Sequence, residues 1–209
     1  MAWIKKDDKV GFIDARGELV ILPKFNQAQP FKENLAAVRL DNRWGFIDRE
    51  GSLLIPAQFY QVAPFSEGLS RIEATPVELF SPRKFGFIDR TGKTVIEPQF
   101  DWAEPFSSGL AYVGIYSANS LGSQTGYITP TGQWVMQDIP GAGASFSEGL
   151  AARRVQRPVD PLQPFNLEYD YGYANPQGQW VISPQMLSSQ SGLTSIQQAG
   201  PFQSGICGD

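Results

Sequence analysis

No histidine occurs in the 209 residues, and Cys207 is the one cysteine. The first absence removes Ser-His-Asp and Cys-His nucleophilic catalysis, histidine-containing zinc sites and a simple titrating switch near neutral pH. The second rules out an internal disulfide. A chain of this length buries about 70% of the surface it exposes when unfolded, so it needs no staple. Lys and Arg number 17 against 21 Asp and Glu, for a net charge of −4, and the cations gather into no stripe. A nucleic-acid binder carries such a stripe, and an anionic membrane surface is an equally poor partner. No apolar run nears the roughly 20 residues of a membrane helix, and Met1-Ala2-Trp3-Ile4-Lys5-Lys6 is no signal sequence. The expectation is a soluble, cytoplasmic protein without metal, cofactor, nucleic acid or membrane insertion.

What the chain does contain is a repeat, and an internal period determines architecture before local propensity does. Residues 1–34 lie on 35–68 without a gap, so that Gly-Phe-Ile-Asp at 11–14 returns at 45–48 and Pro30-Phe31 returns as Pro64-Phe65. Five anchor glycines, Gly11, Gly45, Gly86, Gly126 and Gly172, are each followed six residues later by another. Phe31, Phe65, Phe106 and Phe146 follow their anchors by twenty residues, and Phe202 follows by thirty, which places a ten-residue insertion within 187–199. The repeats are 1–34, 35–68, 69–109, 110–149 and 150–205 of one repeat domain spanning 1–209.

Within a repeat the apolar runs are four or five residues long, rich in Val, Ile and aromatics, and bounded by Gly and Asp. That favours strands, and no stretch of ten residues shows helical period with caps. The reading is an all-β chain of five three-stranded meanders, each closed by an irregular Pro-rich return. Asp14, Asp48, Asp89, Thr129 and Asn175 each stand three residues before a Gly, as side-chain acceptors opening a type I turn with a left-handed Gly at its end. A recurring carboxylate invites a metal or acid–base role, but Thr and Asn in the same place form turns and do no catalytic carboxylate's work. Gly68, Gly109, Gly149 and Gly205 close the returns with Asn34 as the first, which predicts left-handed backbone at all five.

The second position of each first strand is Ala2, Ala36, Ser70, Ala111 or Ala151, with Cys207 following the last repeat. A position that is always small meets a close neighbour, so Cys207 reads as a buried structural thiol rather than a nucleophile. In the middle strand Trp44 and Phe46 point one way and Ile47 the other. Such a strand has to be covered on both faces, and one 34-residue meander cannot do that for itself.

These residues resemble the WG-repeat family, also called KWG repeats, common in bacterial proteins. Arg43-Trp44-Gly45-Phe46-Ile47-Asp48 and Pro64-Phe65-Ser66-Glu67-Gly68 are near its consensus, and the likeness covers essentially the whole chain. The signature Trp is Val10, Phe85, Thr125 and Tyr171 in the other repeats, and the fourth has Asp138-Ile139-Pro140 where the family has Pro-x-Phe. A position that accepts Val and Thr reads as packing, not as a shared ligand-binding group. The resemblance implies a repeat scaffold that mediates binding, with no common catalytic residues.

From the first apolar residue to the anchor Gly the repeats measure 10, 10, 17, 16 and 22 residues, so the extra length falls in one hairpin loop. The lengthened loops, 74–84, 114–124 and 155–170, carry Phe80, Arg83, Tyr116, Phe165 and Tyr169 beside further charges. Aromatic and charged loops on one edge of a repeat scaffold suit a protein or peptide partner. The function expected is therefore a non-catalytic scaffold binding protein or peptide through this face, with a carbohydrate-binding module as the alternative. A hydrolase with paired carboxylates finds little support, because Glu73, Glu97 and Asp101 recur at no shared position.

Five meanders buried on both faces form either a small β-propeller-like ring or an open β-solenoid. Five repeats beginning and ending at the same point of the period favour the ring. Small-angle scattering tests this expectation: a compact particle with five-fold pseudo-symmetry supports closure, and an elongated one supports the solenoid.

Overall fold

The computed structural model describes residues 1–74, 83–116, 124–137, 145–156 and 169–184. Among them the chain is all-β, with eighteen strands in five small antiparallel sheets of three or four strands, none closed into a barrel. Two compact units form, Met1–Pro105 and Phe106–Asp209.

In the first unit the strands are β1 (Ala2–Lys6), β2 (Lys9–Ile13), β3 (Leu19–Phe25), β4 (Gln27–Ala28), β5 (Ala36–Leu40) and β6 (Arg43–Ile47). They continue with β7 (Leu53–Phe59), β8 (Gln61–Val62), β9 (Leu69–Glu73), β10 (Phe85–Asp89), β11 (Thr94–Phe100) and β12 (Trp102–Ala103). The meander of three strands is present in every repeat. The return is more regular than its proline suggests: the third strand continues through Pro23, Pro56 or Pro98, and a two-residue strand follows. That short strand joins the next repeat's sheet, Gln27–Ala28 pairing with Arg39 and Val38, and Gln61–Val62 with Glu73 and Ile72. The sheet β4-β5-β6-β7 thus draws on two sequence repeats.

Proline is accommodated by a bulge. Trp44 pairs with Phe59 and Phe46 with Ile55, so Gly45 alone faces Pro56, Ala57 and Gln58. The ladder bonds that proline cannot make are absent there anyway. The bulge folds the third strand over the glycine, and a Cβ on Gly45 would lie 2.5 Å from the Ile55 carbonyl oxygen and 2.8 Å from the Ala57 nitrogen. Gly11, Gly86, Gly126 and Gly172 stand against Ile21, Ile96, Met136 and Ile182 in the same way. Close backbone approach therefore explains the anchor glycine, a reason its spacing alone does not reveal.

Successive sheets cover one another as the two-sided middle strand requires. Ala36, Val38 and Ile47 pack with Val10, Phe12, Ile21 and Phe25 of the sheet before, while Ala37, Phe46 and Ile55 pack with Ile72 and Ile88 of the sheet after. Phe46, Ile47 and Ile55 are fully buried, each contributing about 1.5–3 kcal/mol by transfer from water. Phe65 lies edge-on to Phe46 with ring centroids 4.8 Å apart, and Phe31 meets Phe12 likewise at 4.9 Å, which gives the recurring Pro-Phe its role. Ala36, Ser70, Ala111 and Ala151 are buried as their size predicts, whereas Ala2 is exposed. Polar links reinforce the stack: the Gly68 N–H donates to Glu33 Oε2 at 3.1 Å, Arg49 Nε to Asn34 Oδ1 at 3.1 Å, and Arg90 to the Glu33 carbonyl.

The second unit contains β13 (Ala111–Ile115), β14 (Gln124–Ile128), β15 (Trp134–Gln137), β16 (Ala151–Gln156), β17 (Tyr169–Ala174) and β18 (Trp180–Ile182). Its core gathers Leu110, Tyr112, Tyr127, Phe146 and Ala151, with Met136 against them. Burial pushes the Tyr127 phenol well above its ordinary value, with Tyr112 adding to the shift. The insertion within 187–199, Gly205 and Cys207 lie outside the described residues.

Both turn predictions are met where the residues are described. Asp48 Oδ1 accepts the Glu50 N–H at 3.1 Å and the Ser52 N–H at 2.8 Å, and Gly51 closes the turn at φ 85°. Asp14, Asp89, Thr129 and Asn175 also hold their turns through the side chain. At the return, Asn34, Gly68, Gly109 and Gly149 have φ of 69°, 80°, 78° and 77°. The residues before them, Glu33, Glu67, Ser108 and Glu148, are left-handed as well, so each return is a two-residue turn with two positive φ angles. A Cβ at Gly68 meets open space, and the cost of a side chain there is purely conformational. Gly68→Val is expected to destabilise the protein by more than about 1 kcal/mol, and Gly68→Asn, the residue standing at position 34, by less. Thermal melting checks this; an unchanged melting temperature for the Val variant contradicts it.

Candidate functional site

The hairpin edge of the first unit holds a cleft where the packed layer between two sheets opens to solvent. Asp41 and Asn42, at φ 44° and 67°, form the tight turn that joins β5 to β6 and sets Arg39 opposite Trp44. Both therefore share the face that buries Phe46. Trp44 is half-buried against that core. Gln27, from β4, pairs with Arg39, and the Gln29 N–H donates to the Ala37 carbonyl at 2.9 Å. Across the opening, the Tyr60 N–H donates to the Glu73 carbonyl at 3.1 Å, and β8 supplies Gln61 and Val62. These side chains enclose about 370 Å³.

The cleft is polar and cationic at its rim. The Arg83 guanidinium lies 4.0 Å from the Tyr60 ring centroid and that of Arg43 lies 5.9 Å from it, contacts worth about 0.5–1 kcal/mol each at an exposed site. Arg83 Nε is 3.5 Å from Glu73 Oε1, and Glu73 is only 3% exposed. Arg39 donates to Gln27 Oε1 at 3.2 Å and to Asn42 Oδ1 at 3.4 Å, while its Nε has no partner. Gln29 Nε2 donates to the Val62 carbonyl at 3.3 Å, and its Oε1 is unpartnered. One sheet on, Arg71 donates to the Ala103 carbonyl at 2.7 Å. Burial lowers its pKa from the ordinary value, against the pull of Glu104 and Glu73.

Of the five residues the loops single out, Arg83 is brought to the cleft. Tyr116 follows β13 in the second unit and is exposed. Tyr169 opens β17 in register with Gln156; its side chain, with Phe80 and Phe165, lies outside the described residues. The acids weighed as catalytic are otherwise placed: Glu73 pairs with Arg83, Asp101 with Lys84 at 2.6 Å, and Glu97 is exposed on the bulged β11. No group of three or more metal-ligating side chains gathers among the described residues.

The family model of the WG containing repeat matches residues 11–44, 44–73, 85–115 and 171–185, more than half of the chain. The chain belongs to the WG-repeat family. The unmatched stretch 74–84 coincides with the lengthened loop that delivers Arg83, so in this WG-repeat protein the cleft joins family framework to an unmatched insertion. Comparison with curated proteins finds no match. Among solved structures, a crystal structure of the eukaryotic initiation factor aligns with 87% of this chain and 51% of its own, at 15% identity and a TM-score of 0.49. The WG-repeat chain thus spans about half the length of that protein.

Loop length alone does not point to Arg39, Trp44 or Tyr60. Their signal lies in composition at fixed positions: Tyr60 stands where the first repeat has Asn26, and Arg39 where it has Lys5. The repeat's framework is constant there while the chemistry changes.

Proposed function

We propose that this WG-repeat protein is a non-catalytic scaffold that binds a protein or peptide segment at its hairpin-loop edge. The observation that carries the reading is the Tyr60 cluster: an aromatic ring approached by Arg43 and Arg83, with half-buried Trp44 at the mouth of a 370 Å³ cleft. Aromatic and Arg side chains are the usual anchors of protein interfaces. The recurring polar residues support it too, because Asp14, Asp48 and Asp89 are committed to turns. A carbohydrate is the second reading, favoured by the amides of Gln27, Gln29 and Gln61 beside two aromatic rings.

Selection of random peptides on the full chain tests the proposal. Peptides are expected to be enriched and to bind at least tenfold more weakly to Tyr60→Ala, and to a chain whose 74–84 loop is replaced by the Asp-Asn turn of the second repeat. Retained binding by both variants contradicts the site. A glycan array with hits sensitive to Tyr60→Ala, beside a failed peptide selection, selects the carbohydrate reading.

A further inference from the structure

We infer that the cleft recognises an acidic peptide, one carboxylate of which is held by Arg39 beside Trp44 and Tyr60, with Arg43 adding positive charge at the rim. The inference rests on the binding reading above and names the chemistry of its ligand.

The repeats themselves supply the first argument. In the first repeat Lys5 is neutralised by Asp8 at 2.9 Å. The same two positions in the second repeat are Arg39 and Asn42, so the cation is kept and the acid has become a neutral amide. In the third repeat the position of Arg39 is Glu73, which carries its own partner in Arg83. Only the repeat that contributes the cleft's Trp leaves its cation uncompensated among these three. Neither Arg39 nor Arg43 has a carboxylate within ion-pair distance among the described residues, although the chain is net negative.

Geometry supplies the second. The guanidinium of Arg39 uses one nitrogen on Gln27, another on a long 3.4 Å contact to Asn42, and its Nε on nothing. The Nε edge is the side on which a guanidinium grips a carboxylate through two parallel bonds. Nε is shielded from water in the free protein, so the carboxylate enters as the Asn42 oxygen leaves, exchanging one long bond to a neutral amide oxygen for two to an anion. Room for about one or two side chains and a wall of glutamine amides suit an extended peptide. Glu73, held at the same rim by Arg83, disfavours a dianion, which selects carboxylate over phosphate.

The test compares each selected peptide with its counterpart in which Asp and Glu are replaced by Asn and Gln, by fluorescence anisotropy on the full chain. The amide counterparts are expected to bind at least tenfold more weakly, and the acidic peptides to weaken as salt rises. Asn42→Asp, which installs the first repeat's acid at an exposed turn, is expected to weaken acidic peptides at least fivefold without lowering the melting temperature. It should leave the amide counterparts unaffected. Equal binding of acidic and amide peptides, both lost in Tyr60→Ala, overturns the charge assignment and leaves the binding reading standing. Failure to select any peptide overturns both.

Discussion

Phe46 and Ile47 are neighbours in the chain, point to opposite faces of one strand, and are both fully withdrawn from water. Everything else in the repeat follows from that double burial. A single meander has no second layer, so the second sheet is sandwiched between the first and the third. The residues facing across the layers are accordingly matched: small Ala36 and β-branched Val38 and Ile47 on one face, large Phe46 with Ile55 and Phe59 on the other. The chain binds the layers covalently as well, since β4 and β8 carry each repeat into the sheet of its successor. Stability is thereby distributed over interfaces between repeats rather than within them.

The same constraint creates the site. An inter-sheet layer has to end somewhere, and at the hairpin edge it ends in Trp44, Tyr60 and the polar side chains of β4 and β8. Because the framework holds these positions on strand ends, their identities change from repeat to repeat without disturbing the core. Lys5, Arg39 and Glu73 occupy one position in three sheets with three different charge environments. A repeat scaffold of this kind separates the residues that fold it from the residues that give one cleft its chemistry.

Most of the fold is legible in the residues. The period, the strand order, the side-chain-held turns, the left-handed returns and the two-sided middle strand all follow from local patterns, because each rests on hydrogen bonds or packing close in sequence or repeated at a fixed interval. Two features are not legible. The pairing of Gln27–Ala28 with the next repeat involves two residues without strand character, and only the tertiary ladder makes them a strand. The anchor glycine's role depends on a third-strand bulge ten residues away. The site is legible in part: loop length leads to Arg83, while Tyr60 and Arg39 belong to segments of constant length and acquire meaning only once the strands set them around one opening.

Strand pairing within a sheet is insufficient to fold it, and cover by neighbouring sheets is decisive. Residues 27–59 contain the complete second sheet, β4 to β7, without its neighbours, and residues 1–105 contain it with both. Circular dichroism with urea titration of the two segments decides the matter. A cooperative β-sheet transition is expected for 1–105 and an unfolded spectrum without a transition for 27–59; cooperative unfolding of 27–59 alone rules out a decisive role for neighbouring sheets.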